Sequence, residues 1–326
     1  MGFASAACSG QTASPSSSRT LAAPTAIMEQ PATLVTPTGT IHGTIEAPVG
    51  DHPIPVVLLI SGSGPTDRDG NSKMLPGANN SLKLVASGLA THGIATLRFD
   101  KRGIAESATA AGKEEDLRFD NYVSDAEGWL KQLRADKRFS TVSVAGHSEG
   151  SLIGMIAARE AGADGYISLE GAGRKPSDII VEQLTPQVSP EILATSKHLM
   201  ALIEAGQPAD ATTVPPMLAG LFRPSVRPYM VSWFRYDPAV EIAKLRIPAL
   251  IVQGTTDIQT SMTDANALAK GYPTGRLLTI EGMNHVLKNA PPGRAEQAAA
   301  YTDPSLPVVP QLIDEMSAFV KTLKKR

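Results

Sequence analysis

Five residues, Gly146-His147-Ser148-Glu149-Gly150, restrict the folds open to this chain more than any other feature of it. Val142 and Val144 precede them in the β-branched pattern of a strand, and Leu152, Ile153, Met155 and Ile156 follow as an apolar helix. A strand that turns straight into a helix forces its central residue into strained backbone. Side chains two positions to either side would collide there, so both positions favour glycine. The result is a hydroxyl held at the tip of a turn, at a helix N-terminus whose free amides and dipole favour developing negative charge. In that strand–turn–helix setting Ser148 is a candidate nucleophile; the plainer alternative is a serine that caps a helix.

Strands and helices alternate on both sides of this turn. Ile41-His42-Gly43-Thr44-Ile45 has the alternation of a half-exposed strand, and Val56-Val57-Leu58-Leu59-Ile60 is the unbroken apolar run of a strand buried on both faces. The second runs into a glycine-rich loop, 61–70. A helix over 81–92 follows, with Leu82, Val85 and Leu89 on one face, then a strand at Ile94-Ala95-Thr96-Leu97-Arg98-Phe99-Asp100. Residues 119–134 carry a helical stripe of Tyr122, Val123, Ala126, Trp129, Leu130 and Leu133, and Tyr166-Ile167-Ser168-Leu169 is a short strand. This rhythm predicts an α/β fold, with a mostly parallel sheet, right-handed crossovers and helices on both faces.

The rhythm breaks over 174–240, where two helical patterns, 176–205 and 215–233, stand among prolines with no strand between them. We read this stretch as a helical insertion capping the sheet. The sheet pattern resumes at Ile247-Pro248-Ala249-Leu250-Ile251-Val252-Gln253-Gly254 and Arg276-Leu277-Leu278-Thr279-Ile280, and an amphipathic helix over 311–323 closes the chain. The expected division is a flexible tail over 1–38, a core in two parts, 39–173 and 241–326, and the insertion between them. The tail follows from residues 11–25, whose Ser, Thr, Ala and Pro offer too little apolar surface to offset ordering entropy.

A serine hydroxyl needs an adjacent base to act as a nucleophile, and the base needs a carboxylate to orient it. Asp257 lies three residues past Gly254 and His285 five past Ile280, each just beyond a predicted parallel strand. Both would emerge at the sheet edge that carries Ser148. The rivals fit other roles. Asp264 falls inside a helix, Asp237 precedes Pro238 as a cap or turn residue, and His147 is too close to Ser148 in sequence to turn its ring back on it. Acyl transfer also needs two amides to hold an oxyanion. The candidates are the N–H of Glu149, which matters for its amide more than its carboxylate, and that of Ser63 in the loop opened by Gly62.

Composition narrows the partners. The 326 residues carry a net charge of −2, which gives no bulk attraction to nucleic acid. No apolar run reaches the roughly 18 residues of a membrane span. A single cysteine, Cys8, rules out a disulfide within the chain and a cysteine-rich zinc site, and the six histidines show no ligand spacing. No cofactor is expected. Ala6-Ala7-Cys8-Ser9-Gly10 looks like the cleavage region of a bacterial lipoprotein, although only seven residues precede Cys8. A tether in the cell envelope and a chance likeness in a cytoplasmic protein both stay open.

Taken together, several segments resemble the α/β-hydrolases, and within them the bacterial esterase and serine-aminopeptidase-like branch. They are the loop 59–70, Leu97-Arg98-Phe99-Asp100-Lys101-Arg102-Gly103, Gly146-His147-Ser148-Glu149-Gly150, Gln253-Gly254-Thr255-Thr256-Asp257 and Gly282-Met283-Asn284-His285. The resemblance implies Ser148 as nucleophile, Asp257 as acid, His285 as base, an oxyanion site at Ser63 and Glu149, and a helical cap. One departure is Ser61-Gly62 where many relatives begin the oxyanion loop with His-Gly. The expected activity is hydrolysis of small to medium acyl esters, with Met217, Phe222, Met230 and Trp233 of the insertion lining an acyl pocket. A thioesterase or aminopeptidase is the alternative within enzymes; a non-catalytic binding protein on the same fold is the alternative outside them.

Overall fold

Consecutive residues of Ile54–Ile60 enter two different apolar layers. Val56, Leu58 and Ile60 join one buried cluster, while Val57 and Leu59 join another. Side chains alternate faces along a strand, so this strand is covered on both sides. In the computed structural model, which describes residues 1–2, 26–208 and 214–325, it lies inside an eight-stranded sheet. The strands are β1 (Ile27–Thr36), β2 (Gly39–Pro48), β3 (Ile54–Ile60), β4 (Ala95–Phe99), β5 (Phe139–His147), β6 (Gly165–Leu169), β7 (Ala249–Gly254) and β8 (Arg276–Ile280), in the spatial order β1-β2-β4-β3-β5-β6-β7-β8. β1, β2 and β4 pair antiparallel; from β4 to β8 every pair is parallel. The mostly parallel α/β sheet expected from the sequence is what forms.

Helices α1 (Ser81–Thr91), α2 (Phe119–Ala135), α3 (Glu149–Ala161), α4 (Pro176–Leu184), α5 (Pro190–Glu204), α6 (Ala219–Phe222), α7 (Arg227–Trp233), α8 (Pro238–Ile242), α9 (Met262–Gly271), α10 (Ala298–Thr302) and α11 (Pro310–Thr322) complete the chain. Leu82, Val85 and Leu89 of α1 and Leu312, Met316 and Val320 of α11 cover one face of the sheet. Trp129 and Leu130 of α2, Ile153 and Ile156 of α3, and Leu268 of α9 cover the other.

The expected tail to residue 38 is corrected over 27–36, which form β1. That strand pairs with β2 along its whole length across a two-residue turn, Pro37-Thr38. Its exposed, mixed composition hides it, because an edge strand contributes one face to the core: Leu34 is buried while Val35 is exposed. Arg98 of β4 clamps the hairpin, donating to Glu46 of β2 at 2.8 Å and to Glu29 of β1. The likeness around Cys8 falls on residues 3–25, outside the described residues.

Within 174–240 the two expected helical patterns are shorter pieces. The turn before Pro190 separates α4 from α5, and Arg223-Pro224 separates α6 from α7. Proline cannot donate to the preceding turn, so α4, α5 and α7 each start with one at the first or second position. These helices hold an apolar cluster of their own, built on Leu199, Met200, Ile203, Leu218, Phe222, Met230 and Phe234.

The topology fixes where a site can form. From β3 the chain steps to β4 on one side and then crosses to β5 on the other, so a crevice opens at the carboxyl ends of β3 and β5. Gly62 lies just past the end of β3 and Ser148 directly follows β5.

Candidate active site

Ser148 has φ 54° and ψ −121°, outside the comfortable regions for a residue with a Cβ. Its amide donates to the Leu169 carbonyl at 2.9 Å, which pins the turn to β6. A Cβ on Gly150 would sit against the Ile60 carbonyl and 2.7 Å from that of Ser61; one on Gly146 would strike the Gly150 carbonyl and lie 2.6 Å from the Ser151 Cα. Glycine at both positions is therefore a steric requirement. Ser148 occupies the N-cap position of α3, yet its side chain makes no capping hydrogen bond. The hydroxyl is left for other work.

Asp257 and His285 come together. His285 Nδ1 donates to Asp257 Oδ2 at 2.8 Å, with side-chain exposures of 5% and 0%. That bond places the ring proton on Nδ1 and leaves Nε2 as an acceptor. Asp257 is held on all sides: Oδ1 accepts the amides of Gln259 at 2.6 Å and Thr260 at 3.1 Å, and Oδ2 the Thr260 hydroxyl at 2.8 Å. Burial works to raise its pKa, but the charge and hydrogen bond of His285, with further bonds from Glu170 and Gln259, outweigh it and hold the carboxyl below the usual range.

His147 does not serve as a base. Its Nε2 donates to the His285 carbonyl at 2.6 Å, and the two rings lie 4.7 Å apart. Burial, then the neighbouring His285, push its pKa down to about 3, so it stays neutral and fixes the backbone of His285. The rivals set aside from sequence have structural partners. Asp264 accepts from Arg174 at 2.8 Å and completes the capping box of α9; Asp237 caps α8 through the Ala239 amide at 3.0 Å.

The glycine-rich loop reaches the elbow: a Cβ on Gly62 would lie 3.1 Å from Ser148 Cβ. Ser63 follows and is exposed, while Glu149 opens α3. The Glu149 carboxylate is more than a bystander. It is buried, accepts from Lys101 Nζ at 3.1 Å, and receives the Tyr229 hydroxyl from α7. The sequence reading gave weight to its amide alone.

Glu170 is the residue that sequence reasoning passed over. Fully buried at the end of β6 with φ 47°, it accepts the Gly254 amide at 2.8 Å and Gln253 Nε2 at 2.5 Å, and it lies close enough to Asp257 to feel its charge. Burial, then the charge of Asp257, drive its pKa well above the ordinary value, which favours the protonated carboxyl beside Asp257. The available signal was an acidic residue directly after a buried parallel strand, the same position in the topology as Ser148.

The four residues assigned to an acyl pocket part company. Phe222 and Met230 are buried inside the cluster of the insertion itself, and Met217 is exposed. A stretch this long with no strand needs a core of its own, and Phe222 and Met230 help to supply it. Trp233 lies at the boundary, stacked on Phe119 of α2 with rings 6.3 Å apart and 9° from parallel.

Among the described residues no group of three or more His, Cys, Asp or Glu side chains forms a metal site, and no helix is long and apolar enough to cross a membrane.

The family described as serine aminopeptidase, S33 matches residues 78–291, about two-thirds of the chain. Esterase EstD of Thermotoga maritima is 28% identical over 252 residues, which cover 76% of this chain and 58% of that protein. The chain thus spans under two-thirds of that relative. Among solved structures, Est1E from Butyrivibrio proteoclasticus with bound ferulic acid superposes with a TM-score of 0.57 at 19% identity, over 89% of this chain and 97% of that one. The esterase domain of a Rhodothermus marinus protein gives 0.55 at 14% identity, over 91% and 99%. Both likenesses are of fold.

Proposed function

The chain belongs to the serine aminopeptidase S33 family, serine hydrolases on the α/β-hydrolase fold, and on that premise we propose that it is a carboxylesterase working through an acyl-enzyme. The observation that carries this reading is the 2.8 Å bond of His285 Nδ1 to buried Asp257, at the same sheet edge as the strained, uncapped Ser148. His285 Nε2 takes the Ser148 proton as Oγ adds to the ester carbonyl carbon. The carbonyl π electrons move to oxygen, and the amides of Ser63 and Glu149 receive that charge. The tetrahedral adduct collapses by breaking the C–O bond to the leaving alcohol, which takes the proton from His285. Water then adds to the acyl-serine by the same route, releasing the acid and restoring Ser148. Asp257 holds the imidazolium throughout and remains ionised. Among the described residues Ser148 Oγ has no hydrogen bond to His285, a looseness common before substrate binds.

Two points favour esters over peptides bearing a free amino terminus. The carboxylates gathered here, Glu149, Glu170 and Asp257, are each engaged by protein partners, so none is free to meet a substrate ammonium. The relative at 28% identity is itself named an esterase. The test is turnover of p-nitrophenyl esters of graded chain length beside an aminoacyl anilide and a thioester, with stoichiometric fluorophosphonate labelling of the wild type. Ser148→Ala should abolish both turnover and labelling. Residual hydrolysis at the wild-type rate overturns the assignment, and faster turnover of the anilide overturns the ester preference.

A further inference from the structure

Lys101 is a lysine with 1% of its surface exposed, and the reaction as written has no role for it. It follows β4 at the carboxyl edge of the sheet, and its ammonium has three neighbours. Nζ donates to the Gly62 carbonyl at 2.5 Å and to Glu149 Oε2 at 3.1 Å, and it lies 5.0 Å from the centre of the Tyr122 ring. An ammonium has three protons to place and is costly to bury without partners. What it holds is informative. A trans peptide is planar, with its C=O and N–H pointing in opposite directions. Anchoring the Gly62 carbonyl on the side of Lys101 therefore aims the N–H of the same peptide, that of Ser63, the other way. Gly62 lies against Ser148, since a Cβ there would be 3.1 Å from Ser148 Cβ. The second partner, Glu149, is the residue whose own amide opens α3 directly after the nucleophile. One ammonium thus holds both residues that would bind the oxyanion. Tyr229 of α7 reaches the other oxygen of the same carboxylate, so the insertion closes the group from above.

We propose that Lys101 is a positioning residue for the oxyanion site: by holding the Gly62 carbonyl and the Glu149 carboxylate together it sets the direction of the Ser63 and Glu149 amides. It touches no reacting atom. Its positive charge is balanced by Glu149, so its contribution is orientation. The proposal rests on the acyl-transfer reading above and adds a residue that the reading does not need.

An oxyanion forms only in the transition state, so loss of aim should appear in kcat and spare KM. Lys101→Met keeps the length and packing of the side chain but leaves the Glu149 charge buried without a cation, with only the Tyr229 hydroxyl on it. The double variant Lys101→Met/Glu149→Gln removes that charge, and a melting curve beside the wild type checks that it is folded. We expect kcat for a p-nitrophenyl ester to fall about 10- to 100-fold in both, less than the loss from deleting an oxyanion donor outright. KM should stay within about threefold. Affinity for a trifluoromethyl ketone, whose adduct carries the oxyanion, should fall by the same factor as kcat. Tyr229→Phe keeps the Lys101–Gly62 bond and should lose less than about threefold in kcat. The proposal is overturned if the double variant keeps wild-type kcat, if its loss lies in KM alone, if ketone affinity is unchanged, or if Tyr229→Phe loses as much as Lys101→Met. A wild type that fluorophosphonate does not label at Ser148 would instead sink the acyl-transfer reading itself.

Discussion

Asp257 stands between two proton equilibria. On one side His285 must be free to gain a proton during turnover; on the other lies buried Glu170, whose pKa burial and the charge of Asp257 raise well above the ordinary value. Replacing Asp257 by Asn keeps the shape but removes the charge and inverts the tautomer of His285. That should cost about 10³- to 10⁴-fold in kcat with the fold intact, read by steady-state kinetics beside a melting curve; a loss under tenfold would reassign the acid. Glu170 has a signature in stability. Its folded pKa is raised, so between the unfolded value near 4.5 and that raised value the native state binds the extra proton. Wild-type stability should therefore decline through this window as pH rises. Glu170→Gln does not titrate. It should be about 1 kcal/mol less stable near pH 4.5, from the lost hydrogen bond, and gain on the wild type as pH rises. Parallel melting curves from pH 4.5 to 8 would rule out a protonated Glu170. The sequence made Ser148, Asp257 and His285 readable because each stands just past an apolar strand. Glu170 and Lys101 were not readable, because their roles depend on partners far along the chain: Gln253 is 83 residues from Glu170, and Glu149 is 48 from Lys101.

At the scale of elements, the elbow is a junction of three backbones: the end of β3, the end of β5 and the first turn of α3. Gly146→Ala would drive a methyl group into the carbonyl of Gly150, where no flexible side chain can move aside. We expect a loss of about 3 kcal/mol from overpacking, together with loss of activity, measured by urea unfolding and ester turnover. An alanine variant as stable as the wild type would mean that the turn is looser than its geometry. This junction was legible because its constraints are local, two glycines around one serine between a strand pattern and a helix pattern. The first hairpin was not. Its turn, Pro37-Thr38-Gly39, is a recognisable hairpin signal, but the preceding strand is an edge strand whose alternation is weak. Its docking depends on Arg98, a buried cation that joins Glu29, Glu46 and Asp69 across three separate segments. Composition along the chain carries no trace of such a junction.

At the scale of the molecule, two kinds of core coexist. The sheet is sandwiched between two apolar layers, while α4 to α7 surround a cluster of their own. The sequence disclosed the insertion by the absence of strands, yet not its inner structure, because its prolines set helix ends while its contacts are all tertiary. The two bodies meet through ion pairs, Arg174–Asp264, Arg223–Glu114 and Arg235–Asp120, and through an aromatic bridge. Phe119 packs against Tyr229, Trp233 and Tyr236; the Ser232 hydroxyl accepts the Phe119 amide at 2.8 Å; and Tyr229 reaches Glu149. Tyr229 and Trp233 are the side chains of α7 that touch both clusters. A unit with its own core, attached largely through polar and half-buried side chains, should open at lower free energy than the sheet that carries it. Amides of α4, α5 and α7 should therefore exchange with solvent faster than those of β5 and β6. Trp233→Ala removes one of the three rings that pack on Phe119. For a half-buried indole, we expect about 2 kcal/mol to be lost at that attachment, an approximately 30-fold rise in exchange within the insertion, and little change in the sheet. If the sheet accelerates equally, the insertion and core are one cooperative unit. If neither changes, the bridge does not hold them together, and the ion pairs of Arg174, Arg223 and Arg235 with the bond from Tyr229 to Glu149 bear the attachment.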